Sequence, residues 1–133
     1  MSQNPKSDVP RLWRWKAGRQ ASGYDVLTVA ISQRMRFDSY LIRYRTGAGI
    51  PPHRDPAPAG CRHYRLNIVL WPARSGGVLA CEAYIFRLGP IKFFRPDLAT
   101  HSVSPVEAGA RYVFSIGWLL GSPKKDVTAE TAQ

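Results

Sequence analysis

Glycine or proline interrupts this chain every dozen residues or so, and the stretches between are rich in Val, Ile, Tyr, Phe and Trp. That punctuation constrains the fold more than any other feature, because short strands fit between such breaks and long helices do not. The candidate strands are "YDVLTVAI", "SYLIRYR", "HRD", "HYRLNIVLW", "GVLACEAYIFRL", "IKFFR", "THSV" and "RYVFSIGWL". No window sustains a 3.6-residue apolar period; only a short amphipathic piece near Arg11–Lys16 reads as helical. Many short strands with turns between them predict an all-β sandwich or barrel. The segment "RLNIVLW" is nearly all apolar after Asn67, as a strand covered on both faces would be.

A chain of 133 residues holds one domain with a real core. We expect a partly ordered N-terminal extension over 1–20, a single β domain over 21–121 and a flexible polar tail over 122–133. No apolar run approaches the ~18 residues of a membrane helix, and "MSQNPKSDVP" lacks the apolar region of a secretory signal. Two cysteines, Cys61 and Cys81, are too few for a disulfide scaffold. The expectation is a soluble, cytoplasmic protein with reduced thiols and no membrane partner. Its formal net charge of +10 favours anionic partners, nucleic acid among them, without choosing between them.

Against that charge one acid stands out. Between Ser39 and Cys81 the only carboxylate is Asp55, while Arg43, Arg45, Arg54, Arg62, Arg65 and Arg74 all lie there. Asp55 follows His53 by two residues, inside "YRTGAGIPPHRDPAPAG". On an extended strand, residues two apart share a face, so the imidazole and the carboxylate would converge. A second imidazole would complete a metal site, and the remaining histidines are His63 and His101. His63 sits so close after the pair that the chain would have to double back, whereas His101 sits 46 residues after Asp55 on a candidate strand of its own. Two histidines and one carboxylate on a β scaffold, with open positions opposite, are the facial triad of non-haem Fe(II) oxygenases. Arg111 comes ten residues after His101, across "SVSPVEAGA", which reads as a hairpin turn. An even separation in a hairpin with an odd-length loop puts Arg111 on the face of His101, where its fork suits the carboxylate of a co-substrate.

Four pieces, in order, resemble a known family: "YRTGAGIPPHRD", "YRLNIVLW", "GGVL" and "FFRPDLATHSVSPVEAGARYVFSIGW". From about Tyr40 to Trp118 the chain is similar to the 2-oxoglutarate- and Fe(II)-dependent oxygenases, in particular their prolyl-hydroxylase-like branch. The resemblance implies a double-stranded β-helix (a jelly roll, cupin-like), with iron on His53, Asp55 and His101. It implies Arg111 on the distal carboxylate of 2-oxoglutarate, Tyr44 hydrogen-bonding that co-substrate, and Asn67 lining the same pocket. Two departures matter. The family's N-terminal buttressing helices have little room here, and its R-x-S arrangement is replaced by Arg111, Tyr112 and Val113, so a hydroxyl partner for the co-substrate must come from elsewhere.

Competing readings stay open for several residues. Glu82 and Asp97 could replace Asp55 as the acid, although Asp97 stands only four residues before His101 with a turn between. His63 reads as a structural or surface histidine with reach to the pocket mouth, Cys81 as a small buried hydrophobe, and Cys61 as an exposed loop residue. "HRD" also matches the kinase catalytic loop, but "PAPAG" follows without the expected asparagine and the chain is too short for a kinase. "RLWRWKAGR" is either a basic stacking surface for single strands or a pair of tryptophans capping the open end of the sandwich.

The combined expectation is an Fe(II)- and 2-oxoglutarate-dependent dioxygenase, using O2 to hydroxylate a C–H bond on a protein or peptide side chain. The alternatives are a nucleic-acid alkyl demethylase of the same superfamily and a non-catalytic basic β module that binds nucleic acid or protein. Salt separates the substrates: turnover of a nucleic acid falls steeply with added salt, because phosphate contacts release counterions, whereas turnover of a peptide stays nearly flat.

Overall fold

The computed structural model describes residues 12–18 and 23–123. The rest of the expected extension, and the tail from residue 124, lie outside the described residues. The described residues contain no helix, and none is therefore long and apolar enough to cross a membrane. They form strands β1 (Trp15–Ala17), β2 (Tyr24–Ser32), β3 (Phe37–Tyr44), β4 (Ile50–His53), β5 (Cys61–Trp71) and β6 (Ser75–Gly76). There follow β7 (Leu79–Cys81), β8 (Phe86–Leu88), β9 (Ile91–Phe94), β10 (His101–Val103), β11 (Val106–Ala108) and β12 (Arg111–Gly121).

A seven-stranded antiparallel sheet runs in the order β1-β2-β3-β12-β5-β9-β8. Facing it are a three-stranded sheet, β4-β10-β7, and a two-stranded one, β11-β6. The architecture is the all-β jelly roll that the resemblance implied. Two long strands, β5 and β12, pair from Cys61↔Gly121 to Trp71↔Tyr112 and form the spine of the large sheet. Their β-branched and aromatic content suits a pleated surface, and the strict alternation of burial along β12 shows one face turned to the interior. Register then places Tyr44, Arg111 and Val113, with Ile42 and Val69, on that interior face.

The apolar core fills the interior between the sheets only in part. Tyr44, Ala48, Val103, Val106 and Val113 are buried together, with Ile42, Ile50, Val69 and Leu79 packed around them. Further along the same inner face the side chains turn polar: Ser115 on β12, and Asn67 and Arg65 on β5. The sandwich therefore has a packed end and a polar end.

Several expectations change on contact with the structure. The stretch "GVLACEAYIFRL" is not one strand but two, β7 and β8, which belong to different sheets. Trp15 lies in edge strand β1 rather than in a helical turn, and its ring carries the Arg43 guanidinium 4.2 Å from its centroid. Register puts Trp15 on the outer face, in line with Leu27 and Leu41, and Trp13 is exposed, so neither tryptophan caps the end of the sandwich. Cys61 is buried at the start of β5 instead of exposed in a loop, and Cys81 is half-buried. Both thiols are free.

The paired glycines of "GGVL" answer to a close approach. Gly76 has φ +70°, and a Cβ there would collide with the Pro105 carbonyl oxygen and stand 2.9 Å from the Glu107 nitrogen. That approach is the β6–β11 pairing itself. Gly76→Ala combines left-handed strain with backbone overlap, and we expect a loss of about 2–4 kcal/mol of stability, measured by denaturant unfolding; an unchanged midpoint would contradict the close approach.

Candidate metal centre

The candidate metal site is assembled from two neighbouring strands and the loop after one of them. In the β4–β10 pair His53 stands directly opposite His101, so the two imidazoles share a face by register alone. Their ring centroids are 4.3 Å apart. Asp55 reaches the same point differently from the strand geometry expected: β4 ends at His53, and Asp55 lies in the following loop. It is fixed there by its own N–H, which donates to the Pro96 carbonyl at 2.8 Å, ahead of Pro56 and Pro58, which restrict the backbone. Asp55 Oδ1 lies 3.4 Å from His53 Nε2 and Asp55 Oδ2 lies 3.5 Å from His101 Nε2. One ligand atom from each residue lies within 4.8 Å of the others.

The second nitrogen of each ring is already committed. His53 Nδ1–H donates to the Pro51 carbonyl at 2.8 Å, and His101 Nδ1–H donates to the Ala99 carbonyl at 2.9 Å. Each bond runs to the residue two positions earlier, and each fixes the tautomer in which Nε2 offers a lone pair to the centre. Phe94, buried and 5.2 Å from the His101 ring, holds that imidazole from behind. The donor chemistry fits a divalent first-row ion: two neutral imidazoles and one carboxylate, with the side opposite left to other ligands. Without an ion the same groups share protons. A hydrogen bond from His101 holds Asp55 below the usual carboxylate range against the opposing pull of burial. Burial alone would lower His101, but the bonds to Asp55 and to the Ala99 carbonyl raise it above the ordinary imidazole value.

The other acids are occupied elsewhere. Asp97 takes a two-pronged contact from Arg95, at 2.6 and 3.2 Å. Glu82 is exposed and pairs with Arg54. His63 does not join the centre; it lines a cleft of about 490 Å³ beside it, together with Phe37, Asp38, Tyr40, Pro56 and Trp118.

Arg111 reaches the interior, but not by the hairpin expected. Strand β10 pairs with β4 and β7, while β12 pairs with β3 and β5, so His101 and Arg111 stand on opposing sheets. Tyr44 faces Arg111 directly across the β3–β12 pair, and the guanidinium lies over its ring at 5.0 Å. Both are buried, at 3% and 4% exposure. Burial lowers the Arg111 pKa, opposed by its hydrogen bond with Tyr44, and burial pushes the Tyr44 phenol up to about 12. Among the described residues no carboxylate pairs with Arg111. A buried cation without an anionic partner is costly, and an anion from outside would relieve that cost.

Asn67 is on the inner face of β5, where its Oδ1 accepts from Ser115 at 2.6 Å. Three residues that the sequence reading did not single out join it: Arg65, Ser115 and Asp38. Alternation along β5 was the available signal, since Arg65 and Asn67 necessarily share a face.

No protein-family model matches the chain, and no curated protein matches it. Among solved structures it is similar to KdgF from Halomonas sp., with a TM-score of 0.52, 20% identity, and coverage of 86% of this chain and 92% of that one. It is also similar to a viral collagen prolyl hydroxylase from Paramecium bursaria Chlorella virus-1, in a 2OG complex, with TM-score 0.49, 20% identity and coverage of 65% and 60%. The cupin domain of Schizosaccharomyces pombe Cnp3 follows at TM-score 0.48, 12% identity and coverage of 82% and 66%. The likeness to KdgF concerns the fold alone.

Metal binding must expel the proton held between His101 and Asp55. Because the His101 pKa is raised, divalent metal affinity should be level well above that pKa and fall roughly tenfold per pH unit below it. Calorimetric titration with Fe(II) under anaerobic conditions measures this, and affinity independent of pH down to 5 would contradict the assignment. His101→Ala should abolish tight binding.

Proposed function

We propose that this protein is an Fe(II)- and 2-oxoglutarate-dependent dioxygenase that hydroxylates a C–H bond of a protein or peptide side chain, in the cytoplasm. The observation that carries the reading is the convergence of His53, Asp55 and His101 with both Nδ1–H groups locked onto backbone carbonyls. His53, Asp55 and His101 would hold the ion. Iron with 2-oxoglutarate and O2 supplies the oxidising power that turns C–H into C–OH while 2-oxoglutarate becomes succinate and CO2.

The chain's own residues supply position. Arg111 offers a two-pronged donor to the distal carboxylate of the co-substrate, in a buried setting where charge-assisted bonds are strong. Tyr44 remains a protonated phenol throughout the physiological range, so its hydroxyl is available as a donor. It thereby meets the need for a hydroxyl partner left by Tyr112 and Val113 following Arg111. Pro56, which follows Asp55 directly, lines the cleft with Pro58 and Trp118, and the cleft would give a substrate side chain its approach.

The cleft's character supports a peptide over a phosphodiester. Phe37, Tyr40, Trp118 and two prolines line it, a surface suited to an apolar or proline-rich peptide, while its Arg36 is the one lining group that favours an anion and its Asp38 is neutralised by Arg65. The net charge of +10 remains the observation that favours nucleic acid. An intact ligand set, together with a buried Arg111 that has no carboxylate partner among the described residues, supports an enzyme over a binding module that performs no turnover.

Succinate release from 2-oxoglutarate, with iron, O2 and a peptide pool, tests the reading directly. Arg111→Ala should raise the KM for 2-oxoglutarate at least ~30-fold, as loss of one partner of a buried charge pair does. An unaltered KM, or no succinate under any condition, would overturn the proposal.

A further inference from the structure

Arg65 sits at the middle of a hydrogen-bonded chain that runs from the cleft to Asn67 on the inner face of β5. Its Nη2 donates to Asp38 Oδ1 at 2.7 Å and its Nη1 donates to Ser115 Oγ at 2.8 Å. Ser115, 1% exposed, donates in turn to Asn67 Oδ1 at 2.6 Å. A hydroxyl carries one proton; with its oxygen accepting from Arg65, that proton goes to Asn67. The amide oxygen of Asn67 is thereby occupied, and among the described residues nothing accepts from its Nδ2. The free end of the chain is thus a pair of N–H donors of fixed orientation.

The backbone has been shaped around this chain. Gly117 stands opposite Arg65 in the β12–β5 register. A Cβ there would fall on Arg65 Nη2, and would stand 2.7 Å from Cζ and 2.9 Å from Asp38 Oδ1. The guanidinium occupies the space that a side chain at 117 would take. Arg65 also faces Phe94 across the β5–β9 pair, and Phe94 packs against His101. One end of the chain, Asp38, lines the cleft with His63, Tyr40 and Trp118. The other end, Asn67, is on the inner face of the large sheet, as Arg111 is.

We propose that Asp38, Arg65 and Ser115 are positioning residues: they orient the Asn67 amide as a donor to a carboxylate oxygen of the bound co-substrate, and through Asp38 they make co-substrate affinity sensitive to what occupies the cleft. This rests on the 2-oxoglutarate reading above. A substrate group that draws Asp38 away from Arg65 loosens Arg65, then the Ser115 hydroxyl, then the amide. Substrate and co-substrate binding are then coupled, with the same factor acting in both directions. A purely structural role, in which the bonds only satisfy buried polar groups, would affect stability and leave co-substrate affinity unmoved.

The test titrates 2-oxoglutarate anaerobically into the Fe(II)-loaded protein, reading the metal-to-ligand charge-transfer absorbance, while calorimetry reads Fe(II) affinity separately. Ser115→Ala should weaken 2-oxoglutarate about five- to tenfold, the value of one buried hydrogen bond, with Fe(II) affinity unchanged. Ser115→Thr, which keeps the hydroxyl, should restore most of it. Asp38→Asn is the gentler variant, because it keeps the shape at a partly exposed site; it should weaken 2-oxoglutarate by a few fold. A lower melting temperature in these variants with unchanged 2-oxoglutarate affinity overturns the relay alone. No absorbance in the wild-type protein overturns the 2-oxoglutarate reading, and the relay's target with it.

Discussion

Strand β12 is hydrogen-bonded on both sides, to β3 and to β5, over most of its length. Its alternate side chains therefore decide what fills the space between the sheets. Arg111, Val113, Ser115 and Gly117 point inward one after another. Val113 closes the core against Val103 and Val106. Arg111 adds a cation, Ser115 a hydroxyl, and Gly117 an absence that Arg65 fills. A one-residue slip of this strand would turn every one of these groups to the outside, so the register of β12 and the chemistry of the pocket are one constraint.

The second sheet contributes economically. Its strands β4 and β10 place two imidazoles opposite each other, and one loop residue brings the carboxylate beside them. Here the electrostatics of the whole chain matter. In a protein with net charge +10, a single carboxylate among six arginines marks a place where positive charge must be gathered. Asp97 and Glu82 are neutralised by Arg95 and Arg54, respectively. Among the described residues Asp55 pairs with the imidazoles of His53 and His101, whose backbone bonds leave their Nε2 atoms to serve as donors.

The sequence exposed what depends on residue type and order. Gly and Pro spacing marked most of the strand boundaries, and the His-x-Asp pair with its distal histidine marked the three groups that converge at the candidate metal site. What it hid depends on pairing. The even spacing of His101 and Arg111 suggested a hairpin, yet the two residues lie on opposing sheets, because a jelly roll crosses between its sheets at that turn. His53 and Asp55 were expected on one extended strand, whereas a hydrogen bond to Pro96, distant in sequence, sets the position of Asp55. Cys61 looked like a loop residue because the start of β5 has no apolar alternation to announce it. Arg65, Ser115 and Asp38 carry no signal individually; only cross-strand register brings them together.

On the proposed reading, this jelly roll holds iron and 2-oxoglutarate at one centre. Anaerobic addition of Fe(II) and 2-oxoglutarate to the purified protein, followed by visible absorbance, tests it most directly. A charge-transfer band is expected in the wild-type protein and is lost in His101→Ala. Tight iron binding with no band on addition of 2-oxoglutarate would contradict it, leaving a metal-binding cupin-like domain whose unpaired Arg111 awaits a different anion.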